Sequence, residues 1–177
     1  LDGRVVVPDG SQASHRLALV RVTGGPPSET WLVRWLRTGP IEPHELEWAL
    51  EAWAGLLGHE SIRVRRATIE RLSRETKREE ARTLLAVAVS TESLPELRIE
   101  ALLGIGEVGD IDAKEAVLKA TEDPDAAVRI AAAEALMVIA GRGAQIRLEA
   151  LRDNDPDPKV RRRARKSLRK RAKASDG

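Results

Sequence analysis

The sequence predicts a mainly helical fold: a short solenoid of about four antiparallel helix pairs, behind a small N-terminal β-meander. Three observations carry that expectation. An apolar–Arg dipeptide recurs four times at nearly constant spacing, the interior must be built almost without aromatics, and the residue pattern changes near residue 42.

The recurrence comes first, because an internal repeat decides the whole architecture. Val64-Arg65, Leu97-Arg98, Val128-Arg129 and Val160-Arg161 follow one another at intervals of 33, 31 and 32 residues. Counting the apolar residue as zero, position +4 holds Thr68, Ala101, Ala132 and Ala164, and position +8 holds Leu72, Ile105, Leu136 and Leu168. Positions 0, +4 and +8 lie on one stripe of a 3.6-residue helix, with a small residue where a neighbour must come close.

A shorter helix precedes each of these. Leu46, Ala49, Leu50 and Trp53 match Ala81, Leu84, Leu85 and Ala88, then Ala113, Ala116, Val117 and Ala120, then Ala144, Arg147, Leu148 and Leu151. Gly58, Gly109, Gly141 and Gly143 are expected to end helices, and Pro43, Pro95, Pro124 and Pro156 to start them. Asp123 and Asp155, just before the last two prolines, are placed as N-caps. Stacked helix pairs then bury a continuous core that no single pair could bury.

Segments such as LPELRIEALLGIGEVGD and DPDAAVRIAAAEALMVIAG resemble HEAT repeats, especially the variety also found in phycobilin lyases. The resemblance covers roughly residues 43–173. It implies a right-handed superhelix whose second helices line the concave face. It also implies that Arg65, Arg98, Arg129 and Arg161 are structural ladder residues, paired with acids of adjacent turns such as Asp125 or Asp157.

Residues 1–42 do not follow the repeat code. Three short β-rich stretches, GRVVVPDG, LALVRVTGG and WLVRWLRTG, are separated by Gly/Pro turns and resemble a Tudor-like or related small barrel. The third places Trp31, Val33 and Trp35 on one side of a strand over 30–37. A competing reading makes Ser28 an N-cap and residues 29–38 a helix, since Val33-Arg34 lies 31 residues before Val64-Arg65. The β-rich composition of Val5–Val7 and the Gly-Gly-Pro-Pro spacer favour strands. The expected domains are therefore a β-meander over 1–42 and helical repeats over 43–177.

Composition narrows the chemistry. Hydrophobic residues make up 42% of the 177, yet there is no Phe or Tyr, one Met and four Trp. Such an Ala- and Leu-rich interior suits closely spaced helices better than an enzyme fold with a roomy pocket. The lack of cysteine removes disulfides, thiolate metal sites and Cys nucleophiles, and fits a cytoplasmic setting. No apolar run approaches the ~18–20 residues of a membrane span. No signal peptide precedes Leu1, and a chain beginning there reads as cut from something longer.

No catalytic constellation is present in the sequence. His15, His44 and His59 are far apart, and there is no HExxH, GxSxG, P-loop or strand-preceded GxGxxG. Gly104-Ile105-Gly106 reads as helix-end punctuation. The acids of the inter-repeat turns suit capping better than calcium. Some HEAT-fold proteins are DNA glycosylases using Trp, Asp and Arg on the concave face. Here no Asp lies inside a second helix, the nearest acids being Glu70, Glu100 and Glu134, so that set is not matched. The tryptophans are expected to pack the joint between the β segment and the first repeat. No enzyme activity, cofactor or metal is expected.

The charge is unevenly distributed. The formal net charge of +2 combines +9 from Pro158 onward with −7 before it. Lys159, Arg162, Arg163, Arg165, Lys166, Arg169, Lys170 and Arg171 accompany a narrow apolar stripe of Val160, Ala164, Leu168 and Ala172. Two uses are open: a solubilising cap on the last repeat, or a patch for nucleic acid or an acidic protein surface. The expected function is a non-enzymatic scaffold binding another protein through the concave face. The alternative is a nucleic-acid-binding module using the basic terminal helix, and an enzyme of the glycosylase type is a distant third.

Overall fold

The structure, a computed structural model, describes residues 28–38, 46–107, 113–139 and 141–175. Among these there are nine helices and no strand. They are α1 (Glu29–Thr38), α2 (Leu46–Leu56), α3 (Ile62–Arg74), α4 (Glu79–Thr91), α5 (Pro95–Gly106), α6 (Lys114–Ala120), α7 (Ala126–Ala135), α8 (Arg142–Asn154) and α9 (Pro158–Ser175). The chain divides into two compact units, Leu1–Arg71 and Leu72–Gly177.

In the second unit the helices form two layers. The first helices of each pair, α4, α6 and α8, follow one another in one layer, and the second helices, α5, α7 and α9, in the other. Helix α7 packs on α5, on α9 and on its own partner α6, as a repeat array requires. The 0, +4, +8 code explains the core directly. Val64, Leu97, Val128 and Val160 are all 0% exposed, and Ala101, Ala132, Ala164, Ile105 and Leu136 are equally buried. Each buried Leu or Ile contributes about 1.5–3 kcal/mol relative to exposure. Leu168, the last +8 residue, is only half-buried. On the first helices Ala81, Leu85, Ala88, Ala113, Val117, Ala120, Ala144, Leu148 and Leu151 supply the matching face.

Small residues set the approach of neighbouring helices. Gly104 lies within α5, where a Cβ would collide with the Ser73 side chain and approach Leu85 Cδ1 to 3.2 Å. Gly106 faces the Ala135 Cα, which a Cβ would meet at 3.3 Å. The Gly-Ile-Gly sequence is thus a packing device as well as the end of a helix. Gly141, with φ +107°, caps the start of α8 rather than closing α7, and Gly143 sits inside α8.

The first unit corrects one expectation. The strand placed over 30–37 is helical, because the Leu32, Val33 and Leu36 stripe is buried at helical spacing. Ser28 Oγ accepts the Trp31 N–H at 3.3 Å, capping α1 as the competing reading required. Trp31 and Trp35, alternate residues but one for the strand pattern, are one turn apart on the helix. Their rings stack at 6.1 Å with 9° between planes. The other two β-rich stretches, and with them the Tudor-like resemblance and the boundary at 42, lie outside the described residues. Trp53 is fully buried, with the Arg71 guanidinium 5.3 Å from its ring centroid, and Thr68 at its +4 position returns its hydroxyl to the Val64 carbonyl at 2.9 Å.

Candidate binding surfaces

The recurring arginine forms a two-sided clamp. In every copy Nη1 donates to the carbonyls six and five residues earlier, closing the turn before its own helix. Arg65 reaches His59 and Glu60 (2.9 and 3.1 Å), Arg98 reaches Glu92 and Ser93 (both 3.0 Å), Arg129 reaches Asp123 and Pro124 (2.9 and 3.1 Å), and Arg161 reaches Asp155 and Pro156 (2.6 and 3.0 Å). The residue at −6 also fixes the turn with its own side chain, which accepts the N–H two residues on: His59 from Ser61, Glu92 from Leu94, Asp123 from Asp125 and Asp155 from Asp157. His59, unassigned in the sequence beyond a turn, therefore fills the place of an acid.

The other edge of the guanidinium points to the next repeat. Arg98 Nη2 donates to Asp123 Oδ1 at 3.0 Å, with Nε 2.9 Å from Oδ2. Arg129 Nε and Nη2 donate to Asp155 Oδ2 and Oδ1 at 2.9 and 3.0 Å. The Arg129–Asp155 pair is fork-to-fork and nearly dry, its side chains 12% and 3% exposed. The expected partners are corrected by one step: Asp123 and Asp155 receive the arginines, while Asp125 accepts Ala127 N–H and Asp157 accepts Lys159 N–H as helix caps. Only the acid before the proline points across to the preceding repeat. Burial pushes the Asp155 carboxyl up. Hydrogen bonds from Arg129 and the Asp157 N–H, with the charges of Arg129 and Arg161, outweigh it and hold the group below the usual carboxylate range. Reciprocally, the hydrogen bond and charge of Asp155 raise the Arg129 guanidinium against its own desolvation.

On α9 the basic residues separate into two sets. Arg163 pairs with Glu134 of α7 at 3.1 Å, and Arg171 Nη1 donates to the Leu136 and Met137 carbonyls at 2.8 and 3.3 Å, closing the end of α7. Lys159, Arg162, Arg165, Lys166, Arg169 and Lys170 are exposed, together with Lys173, and cover the side of α9 opposite Val160, Ala164 and Ser167. Arg165 lies near enough to Asp153 to help Arg152, its direct partner, lower that carboxyl.

The second helices also present an exposed stripe that the sequence reading did not single out. Position +2 holds Ile99, Ile130 and Arg162, position +6 holds Leu103, Glu134 and Lys166, and position +10 holds Glu107, Val138 and Lys170. Leu103 and Val138 are 47% and 39% exposed. Side chains at these positions point 200–280° round the helix from position 0, away from the first helices. The surface therefore runs from apolar and acidic on α5 to cationic on α9. Extending the repeat code to +2, +6 and +10 would have exposed the anomaly, because apolar residues fall there where solvent is expected.

An open groove of about 450 Å³ lies over the turns at Thr121–Pro124 and Asn154–Pro156, but Arg129, Asp155, Arg147 and Glu122 on its walls are already paired. Among the described residues no cluster of three or more His, Asp or Glu is placed to hold a metal, and no helix is long and apolar enough to cross a membrane.

Paired helices in two layers, a buried apolar residue at each repeat origin and an arginine joining consecutive turns define an α-helical repeat array. Within it, residues 83–169 match the family model described as HEAT repeats. Among solved structures the chain is similar to a designed armadillo repeat protein in complex with the peptide (KR)4. Identity is 15% and the TM-score 0.52, over 86% of this chain and 83% of that one. No protein in the curated comparison matches.

Proposed function

We propose that this chain is a non-enzymatic, cytoplasmic scaffold that binds another protein along the exposed stripe of its second helices, the concave face in a HEAT superhelix. The observation that carries the reading is exposed Leu103 and Val138, flanked by half-buried Ile99 and Ile130 and interleaved with Glu96, Glu107 and Glu134. Apolar residues that fall on the same outward face of consecutive second helices form a surface, whereas scattered single ones need no explanation. The designed armadillo neighbour, solved with a basic peptide, supports peptide binding as a use of this architecture. The kinship with phycobilin-lyase repeats belongs to the same proposal and adds no chemistry to it.

Affinity capture with the full chain, with and without nuclease, tests the reading. Partners retained after nuclease should be lost from Leu103→Asp and Val138→Asp, and kept by Ile146→Asp, whose 54% exposed side chain lies on α8 in the other layer. Equal retention by all three variants would refute it.

The cationic face of α9 favours a second reading, nucleic-acid binding, because none of Lys159, Arg162, Arg165, Lys166, Arg169, Lys170 and Lys173 forms an ion pair among the described residues. Replacing Arg162, Arg165, Lys166 and Arg169 with Gln removes charge and spares the packed Arg163 and Arg171. With about five phosphate contacts, affinity should fall with salt at a log–log slope near −4 to −5. No binding of duplex or single-stranded DNA near 50 mM salt would dispose of this reading.

A further inference from the structure

The outward stripe of the second helices changes its chemistry in one direction across three consecutive helices. On α5 it is apolar and acidic, with exposed Leu103 between exposed Glu96 and Glu107. At the end of α7 Val138 is exposed, while Glu134 is paired with Arg163 at 3.1 Å, so the stripe there is apolar and nearly neutral. On α9 positions +2, +6 and +10 are Arg162, Lys166 and Lys170, all exposed, with no acid among them.

The three cations belong to the stripe and not to a packing edge. The flank turned toward a following repeat is the one that bears the arginine at +1, as Arg98 shows by reaching Asp123, and buried Leu102 and Ala133 at +5 lie on that same side. Leu103 and Val138 stay exposed although a further second helix packs against each of theirs. Positions +2, +6 and +10 therefore face outward whatever lies beside the helix.

Packed helices lie about 8–10 Å apart, and an extended chain advances about 3.3 Å per residue. A segment crossing the stripe thus meets successive helices about every three residues. We propose, resting on the reading of this stripe as a protein-binding surface, that its occupant is an extended segment of a partner protein with two apolar side chains about three residues apart and a run of acids on one side of them. The apolar pair covers Leu103 and Val138, and the acids lie over Lys166 and Lys170. A basic segment would meet like charge at α9. A phosphate backbone would satisfy the α9 cations but has nothing to place on Leu103 and Val138, and Glu96 and Glu107 repel it.

The probes are three synthetic peptides: SLSSLSSDDSDD, its basic twin SLSSLSSKKSKK, and SSSSSSSDDSDD, which keeps the acids and loses both leucines. Each is titrated into the full chain with ¹³C-labelled methyl groups, and the Leu103 and Val138 methyl signals are followed. The first peptide should move both signals to saturation, and the other two should bind at least about tenfold more weakly. Reversing the charge with Lys166→Glu and Lys170→Glu should invert the order of the two leucine-containing peptides, which loss of folding cannot do. Equal binding of those two peptides, an order unchanged in the charge-reversed chain, or methyl signals that the first peptide leaves unmoved would each overturn the proposal. In the first two cases the stripe itself still stands as a binding surface. Binding of the first peptide to Leu103→Asp as tightly as to the wild type would sink that underlying reading as well. An oligothymidylate that binds where the first peptide does not would assign the α9 cations to nucleic acid instead.

Discussion

At the scale of single residues, Asp155 is where structure and pH dependence meet. Its folded pKa is depressed, so the stability it contributes is present above its unfolded value, about 3.9, and is lost as the pH falls through the folded value. Asp155→Asn should cost about 3 kcal/mol at pH 7, since it strands the Arg129 guanidinium in a nearly dry site. The gap in thermal midpoint between variant and wild type should hold from pH 7 to about 5 and close in more acid solution. Arg129→Gln should cost about as much, whereas Arg161→Gln should cost only about 1–2 kcal/mol, because it gives up carbonyl contacts and leaves no carboxylate unpaired. Thermal melts of the three variants across pH 3–7 would check this, and equal losses for the two arginines would contradict the buried carboxylate as the source of the difference. The sequence made the four arginines visible but named the wrong acids. In Asp-Pro-Asp both carboxylates lie beside the proline, and only backbone geometry decides which one caps the helix and which one crosses to its neighbour.

At the scale of elements, the 0, +4, +8 code translated almost directly into packing. Ala132→Arg should lose at least about 3 kcal/mol, because Ala132 is 0% exposed between helices of the second unit. Lys119→Ala, on the exposed side of α6, should change stability by less than about 0.5 kcal/mol. Chemical denaturation of the two would reveal a misassigned face as equal midpoints. The code worked because each position is constrained by neighbours at fixed helical spacing. It failed over 30–37, where Trp31, Val33 and Trp35 alternate as in a strand while Leu32, Val33 and Leu36 also repeat at helical spacing. A short segment satisfies both periods, and the cap at Ser28 and the buried stripe decide for the helix.

At the scale of the molecule, charge is the property the sequence displayed most plainly and placed least well. The +9 concentrated after Pro158 is legible by counting, but counting does not separate the arginines that hold α7 from those that face solvent. Arg163 and Arg171 belong to the first group, and removing the whole terminal segment would therefore take away packing along with charge. The exposed stripe was hidden for a related reason: its apolar residues are too few to alter a helix's overall pattern, and only superposing the outward faces of α5 and α7 makes them a surface.

Each filled clamp joins only consecutive turns: Arg98 to the turn before α7, and Arg129 to the turn before α9. Arg129 closes its own turn through Nη1 while gripping the next through Nε and Nη2, so opening one turn loosens the anchor of the rung beyond it. Cooperativity in this unit is thereby passed along nearest neighbours, and partial unfolding is expected to proceed by whole helix pairs. Among the described residues the Arg129–Asp155 rung is the buried carboxylate link that ties α8–α9 to α6–α7, so weakening it, by acid or by substitution, is expected to release that pair as one unit.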